Sequence, residues 1–477
     1  MKIAVIGAGA AGLTAAYQVS KEIQSGKVTT LDVYEVGSQV GGLAKSLHLW
    51  NQKVDMGPHR FFSNDKSVNK LWLEVVGKDY KMVSRTTRIY YKRKFFDYPL
   101  KPANALRNLG IFEAARCMFS YLKEKVFPTK DTGTFESWVT QRFGKRLYQI
   151  FFKTYSEKLW GIKCSELDSD FASQRIKRLS LFEAVKNALL GGKGNVHKTL
   201  VDQFAYPNGG TGQVYEKMAS AIQRNGGNIY LNTSVNKVIA NSGKITGIQF
   251  ENGESKTYDH IISTMPLSLL VARLPEVPEN IKQLAMSLKF RNTILVYLRV
   301  NHSSLFPDQW LYIHSGDILM GRMTNFRNWI SELYGKEKDS ILCVEYWCNF
   351  DDQMWQIDDK ELIELAKKEV RSTGLLHKAD IPEGHIIRIP RSYPVYFHNY
   401  KEILKPIQEY LDTINDLQVI GRYGSYKYNN QDHSIFMGLL AAENVLDNKN
   451  NNLWEINTDY DTYQESTVIS ETGLVDL

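Results

Sequence analysis

The chain has 477 residues, 43% of them hydrophobic and 12% aromatic, enough for two or more domains with sizeable cores. Lysine and arginine number 59 against 52 aspartates and glutamates, a net charge of +7 that suits an anionic small molecule and excludes the densely basic surface of a nucleic-acid binder. No run approaches the roughly 18 apolar residues of a transmembrane helix, and the first strand leaves no room for a leader, so the cytoplasm is the expected location.

The apolar run Lys2-Ile3-Ala4-Val5-Ile6 predicts a strand, Gly7-Ala8-Gly9-Ala10-Ala11-Gly12 a tight turn, and residues 13–23 a helix. That order gives the glycines their meaning. Gly7 permits the turn, Gly9 lets backbone N–H groups reach a pyrophosphate, and Gly12 lets helix and strand approach. A second strand over residues 30–35 ends at Glu35, where a carboxylate suits a ribose 2′-hydroxyl and disfavours a 2′-phosphate. Next come Gly41-Gly42-Leu43-Ala44-Lys45-Ser46 and Asp55-Met56-Gly57-Pro58-His59-Arg60-Phe61-Phe62.

Residues 85–101 interleave Arg88, Lys92, Arg93 and Lys94 with aromatic side chains, which predicts a solvated strand face and leaves peripheral contact with acidic lipid open. Helical patterning covers residues 105–127 and 134–159, followed by Trp160-Gly161-Ile162-Lys163 and Ile176-Lys177-Arg178-Leu179. Strand-like runs at 228–235, 244–250 and 260–266 are separated by Asn-, Gly- and Ser-bearing turns. Further strands are expected at 292–300 and 341–348, with Gly321-Arg322-Met323-Thr324-Asn325-Phe326 between them and a helix over 359–373. Cys117, Cys164, Cys343 and Cys348 show no C-x-x-C or His pairing, so buried free thiols are expected and no metal. After Leu417-Gln418-Val419-Ile420 comes Gly421-Arg422-Tyr423-Gly424-Ser425-Tyr426-Lys427-Tyr428-Asn429-Asn430-Gln431-Asp432-His433-Ser434, then a helix from Ser434 to Leu446. Residues 448–477 read as a loosely packed polar extension.

The Gly41-Gly42 loop, the Asp55 to Phe62 stretch, Tyr206-Pro207-Asn208-Gly209-Gly210-Thr211-Gly212 and the C-terminal motif resemble the FAD-binding glutathione-reductase-like superfamily. Within it they resemble the amine oxidase (protoporphyrinogen oxidase-like) and UDP-galactopyranose mutase branch. The resemblance implies FAD and an α/β fold. A discontinuous Rossmann-like FAD-binding domain (1–75, 205–266 and 415–447) would be interleaved with an α+β substrate domain (76–204 and 267–414). Gly42 and Leu43 would lie along the flavin diphosphate and ribityl chain, Gly57, Pro58 and His59 at the N5 edge, and Val235 near the adenine. Arg422 would touch the flavin, while Asp432, His433 and Ser434 open a helix whose positive end stabilises reduced flavin. For the substrate the resemblance implies Trp160, Arg178, Arg322, Tyr426, Tyr428 and Asn430, with His59, Arg322 and Tyr428 as the catalytic set. There is one departure. In the bacterial mutases a second arginine follows the Lys-Arg-Leu segment by four positions, and here that position is Phe182.

Two functions stay open. The first is a nucleotide-sugar pyranose/furanose mutase of lipopolysaccharide or surface-polysaccharide synthesis, with reduced flavin N5 as nucleophile and a diphosphate held by Arg322 and Tyr428. The second is an FAD-dependent oxidoreductase of the amine oxidase or protoporphyrinogen oxidase kind, which predicts an aromatic-lined pocket and needs no diphosphate clamp. A non-catalytic escort, as Rab escort proteins are on a related fold, is disfavoured by the intact flavin fingerprint.

Overall fold

The computed structural model describes residues 1–98, 100–176, 203–456 and 467–476. Its first layer is a five-stranded parallel sheet in the order Leu417–Val419, His260–Ser263, Lys2–Ile6, Thr30–Tyr34 and Asn228–Tyr230. Strands from three distant stretches of chain therefore lie side by side, and loops at one end of the sheet converge. Both faces of Lys2–Ile6 are covered, which explains its continuous apolar run: Ile3, Ala4, Val5 and Ile6 are all buried. Ala10–Ser20, Gly212–Arg224 and Gln431–Asp447 pack as helices on one face. At the closest approach a Cβ on Gly438 would sit 2.6 Å from the Ala11 carbonyl. The antiparallel ribbon Val235–Asn241, Lys244–Phe250 and Ser255–Thr257 covers the other face.

A seven-stranded mixed sheet forms the second layer, in the order Glu383–Pro394, Phe290–Val300, Ser340–Cys348, Arg322–Asn325, Trp310–Ile313, Thr87–Tyr91 and Lys94–Asp97. Its strands come from both sides of the ribbon in sequence, so the two layers are interleaved along the chain. Ser340–Cys348 is buried at every position, because helix Asp359–Ser372 lies over one face and aromatic loops over the other.

Two predicted helices are each broken by a glycine. The 105–127 pattern divides at Gly110 into Pro102–Leu109 and Ile111–Val126. The 134–159 pattern breaks at Gly144 (φ 81°), where any Cβ would meet the Tyr121 backbone nitrogen at 2.7 Å. The chain resumes as Lys145–Tyr148, a π turn over Gln149–Lys153, and Thr154–Trp160. Arg178 and Phe182 lie outside the described residues.

The described residues 467–476 of the C-terminal extension pack more closely than the sequence leads one to expect. Thr467–Ser470 and Gly473–Asp476 form a hairpin with Val468 and Ile469 buried. Asn69 Nδ2 donates to the Thr467 carbonyl and hydroxyl, each at 3.1 Å, and the Tyr80 hydroxyl donates to the Ser470 carbonyl at 2.6 Å. Ile469 joins the cluster that packs on the parallel sheet, so an apolar residue with no core of its own in the hairpin is buried there.

Candidate active site

A cavity of about 650 Å³ runs from the end of the parallel sheet to the mixed sheet. Gly7, Gly9, Glu35, Gly42, Leu43 and Val235 line one part, and Pro58, His59, Arg322, Arg422, Tyr428, Asn430, Asp432 and Ser434 line the rest.

The nucleotide half is shaped by absent side chains. Gly41 N donates to the Ala8 carbonyl at 2.7 Å, drawing the two glycine loops together until a Cβ on Gly42 would sit 3.0 Å from Gly9 Cα. Gly12 lies behind this surface, where a Cβ would strike the Gly7 carbonyl at 2.0 Å, so its role is helix–strand packing. Glu35 accepts from Ala8 N and Gly37 N, both at 2.8 Å, and these bonds pin its carboxylate at the cavity edge. The helix Ala10–Ser20 starts at Gly9 with no side-chain cap and no acid in its first turn. Its N–H groups and positive dipole end thus face the cavity ready for an anion. Gln431–Asp447, which begins three residues before the expected Ser434, points a second uncapped N-terminus at the same space from Asn430. This donor set and the glycine-lined cradle fit a flavin dinucleotide.

The loop bearing His59 is anchored from beneath. Asp55 is fully buried and accepts from Ser46 Oγ at 2.5 Å, Tyr206 Oη at 2.6 Å and Thr211 N at 3.1 Å. Burial outweighs these bonds and pushes its carboxyl up to about 6. Thr211 Oγ1 in turn donates to the His59 carbonyl at 2.7 Å. Burial first, then the Arg322 and Arg422 charges, push the His59 imidazole down to about 4, so it is neutral at pH 7. In the tautomer that donates Nε2–H to the Met56 carbonyl at 3.0 Å, Nδ1 is left as an acceptor. Gly57 does not line the cavity; a Cβ there would meet Glu345 Oε1 at 3.1 Å.

Glu345 is the residue that motif reasoning missed. It faces Arg322 across adjacent strands and binds it bidentately, Nε to Oε1 at 2.5 Å and Nη2 to Oε2 at 2.6 Å. Burial works against the Arg322 charge, but the Glu345 carboxylate overrides it and holds the guanidinium protonated. The pair is net neutral. A signal did exist: a lone carboxylate inside the apolar run 341–348 has to be paired if that strand is buried.

Around the pair the wall is aromatic. Tyr393 stacks on Tyr428 at 5.5 Å, and Arg422 lies over both rings at 4.6 and 4.5 Å while donating to the Ser392 and Asn429 carbonyls. Trp310 and Tyr312 continue the lining. Trp160 stands behind this layer, edge-on to Tyr428 at 5.5 Å and Tyr393 at 6.0 Å, and supports the wall rather than forming it. Tyr426 corrects a substrate-binding expectation. It is fully buried in the core and its hydroxyl donates to the Lys289 and Val395 carbonyls. His433 is likewise fully buried, beside Asp432 and out of the cavity lining.

Residues 10–392 match the family model described as flavin containing amine oxidoreductase. The chain belongs to that family. Among curated relatives it is 22% identical to coproporphyrinogen III oxidase of Staphylococcus aureus (strain NCTC 8325 / PS 47), over 93% of this chain and 98% of the relative. It is 24% identical to that of Bacillus subtilis (strain 168), over 58% and 62%. Among solved structures, reduced UDP-galactopyranose mutase superposes with a TM-score of 0.82 at 22% identity, covering 94% of each chain. A putative protoporphyrinogen oxidase from Exiguobacterium sp. 255-15 gives 0.71 at 14%, covering 94% of this chain and 99% of that one. The α/β architecture with a Rossmann-like parallel sheet is common to this group, and the chain is an enzyme of a flavin-dependent oxidoreductase family.

Proposed function

We propose that this protein is an FAD-dependent oxidoreductase that removes a hydride from an electron-rich ring system or amine, in preference to isomerising a nucleotide sugar. The Arg322–Glu345 pair carries this reading. A diphosphate clamp needs a guanidinium with charge to spare, whereas here a buried carboxylate already occupies its bidentate edge. The aromatic wall of Trp310, Tyr312, Tyr393 and Tyr428 offers flat apolar area with hydroxyl rims, which suits a ring-bearing substrate. The curated relatives' substrate, a coproporphyrinogen, is one such ring system.

When bound, FAD supplies a two-electron acceptor at its isoalloxazine ring. The first helix N-terminus with Gly9 and Gly42 would hold its diphosphate, Glu35 its ribose hydroxyls and Val235 its adenine end, with Arg422 and the second helix N-terminus at the ring. His59 stays neutral and keeps an acceptor nitrogen at Nδ1, while Tyr393, pushed up to about 12 chiefly by burial, stays a neutral phenol that donates its O–H and accepts at its oxygen. The stacked aromatic residues exclude water from that wall.

The mutase reading retains one favourable observation: Arg322, Tyr428 and Asn430 line the same cavity. One pair of assays separates the two. Oxidised holoprotein is mixed anaerobically with coproporphyrinogen and with a panel of amines, and dithionite-reduced holoprotein with UDP-galactopyranose. Bleaching of the flavin band by a reductant supports the oxidoreductase. A UDP-sugar isomer of unchanged mass, formed only with reduced flavin and without bleaching in the first panel, overturns it in favour of a role in surface-polysaccharide synthesis.

A further inference from the structure

We propose that the outward side of the helix Ile111–Val126 docks on an anionic lipid bilayer, a surface independent of the reading of the cavity. A surface helix ordinarily turns its apolar stripe inward, and this one is inverted. Phe112, Ala115, Phe119, Leu122 and Val126 recur at steps of three and four and so share one stripe. That stripe faces solvent: Phe112 is 89% exposed and Phe119 73%, and Ile111 and Phe127 extend it at either end at 83% and 71%.

The inward side is held by polar contacts. Glu113 pairs with Arg146, the Ser120 hydroxyl accepts from Arg146 N at 3.0 Å, and Cys117 between them is buried in the core. The Tyr121 backbone also fits against Gly144, so the helix cannot roll its stripe inward without breaking these contacts. The exposure is built in.

Charge identifies the occupant. Glu113 is held by Arg146 and Arg116, and Glu124, which lines the groove with Phe112 and Phe119, is held by Thr129, while Lys123 and Lys125 flank the stripe and Lys145 lines the same groove. A second copy related by a twofold axis would set these cations against themselves. Lipid phosphates would pair them, with the phenyl rings seated at the acyl boundary. Among the described residues no helix is long and apolar enough to cross a membrane, so the contact is interfacial.

The test is co-sedimentation of the full-length holoprotein with vesicles of phosphatidylcholine alone or mixed with phosphatidylglycerol, at low and high salt. Wild type is expected to pellet with the anionic vesicles, to ignore the neutral ones and to be released by salt. F112S/F119S and K123E/K145E are each expected to weaken binding by about tenfold or more. Unchanged flavin spectra and melting temperatures verify that both variants fold. Absence of wild-type binding at low salt, or binding that neither variant alters, overturns the proposal. So does a wild-type dimer that F112S/F119S converts to monomer in light scattering, which would assign the face to a second copy.

Discussion

Replacing Glu345 with glutamine removes one charge of the Arg322 pair while keeping the side chain's shape. The Arg322 side chain is 18% exposed and that of Glu345 2%, so solvent reaches the guanidinium left behind only from the cavity side and screens it weakly. Breaking a buried pair from one side costs about 3–5 kcal/mol, most of it the penalty of an uncompensated buried charge. Unfolding entropy of about 2.1 cal/mol/K per residue gives about 1.0 kcal/mol/K over 477 residues, so the melting temperature should fall by about 3–5 °C for cooperative unfolding. Calorimetry of the holoprotein checks this, with R322M/E345L as a control that removes both charges and should recover most of the loss. The same substitution frees the guanidinium, so E345Q should bind UDP more tightly than wild type in a calorimetric titration. An E345Q melting temperature within about 1 °C of wild type, or weaker UDP binding, would refute the argument that Glu345 neutralises Arg322.

Gly9→Val should abolish flavin retention with little loss of fold, read as the flavin-to-protein absorbance ratio after purification, because the side chain would project where the Gly9 and Gly42 loops meet. His59 and His314 are pushed down to about 4 and about 3, each chiefly by burial, while Asp55 is pushed up to about 6. Below about pH 6.5 the unfolded chain therefore gains histidine protons that the folded chain refuses, and stability falls with acid at about 1.4 kcal/mol per pH unit for each unbalanced proton. Asp55 takes up its proton early in the folded state and offsets one histidine below about pH 6, so the slope levels off near one unbalanced proton between about pH 6 and 5. Denaturant midpoints between pH 5 and 7 test this, and stability that rises on acidification would contradict it. Asn69→Ala should release the C-terminal hairpin at a cost of about 1–3 kcal/mol, seen as faster proteolytic trimming of the C-terminus while the flavin spectrum is unchanged.

What the sequence displayed was whatever is local. The turn of Gly7-Ala8-Gly9 is specified by its own backbone requirements, and its flanking strand and helix by their apolar periodicity, so the nucleotide end was legible down to Glu35. The loop from Gly57 to His59 was legible as a motif, but its support was not. Asp55 meets Tyr206 and Thr211 from about 150 residues away, through contacts that no spacing encodes.

Glu345 and Tyr426 show the limit most clearly, and they fail in opposite directions. Glu345 is assigned to Arg322 by the register of two antiparallel strands, and slipping that register by one residue would turn it to the other face. Tyr426 and Tyr428 fall together in the segment that carries the family resemblance, and alternation along a strand would put both on one face. The segment is not a strand. Tyr426 sits at φ 52°, just after a short helix over Gly421–Gly424, and that left-handed residue turns its ring into the core while Tyr428 reaches the cavity. Both bear on the substrate side of the cavity, because Tyr426 takes one expected hydroxyl away from it and Glu345 is the carboxylate that neutralises Arg322. With Tyr426 in the core and Glu345 on Arg322, the cavity has one fewer hydroxyl donor and no surplus charge at Arg322, and it is on this loss of anion-binding capacity that the proposed oxidoreductase reading rests.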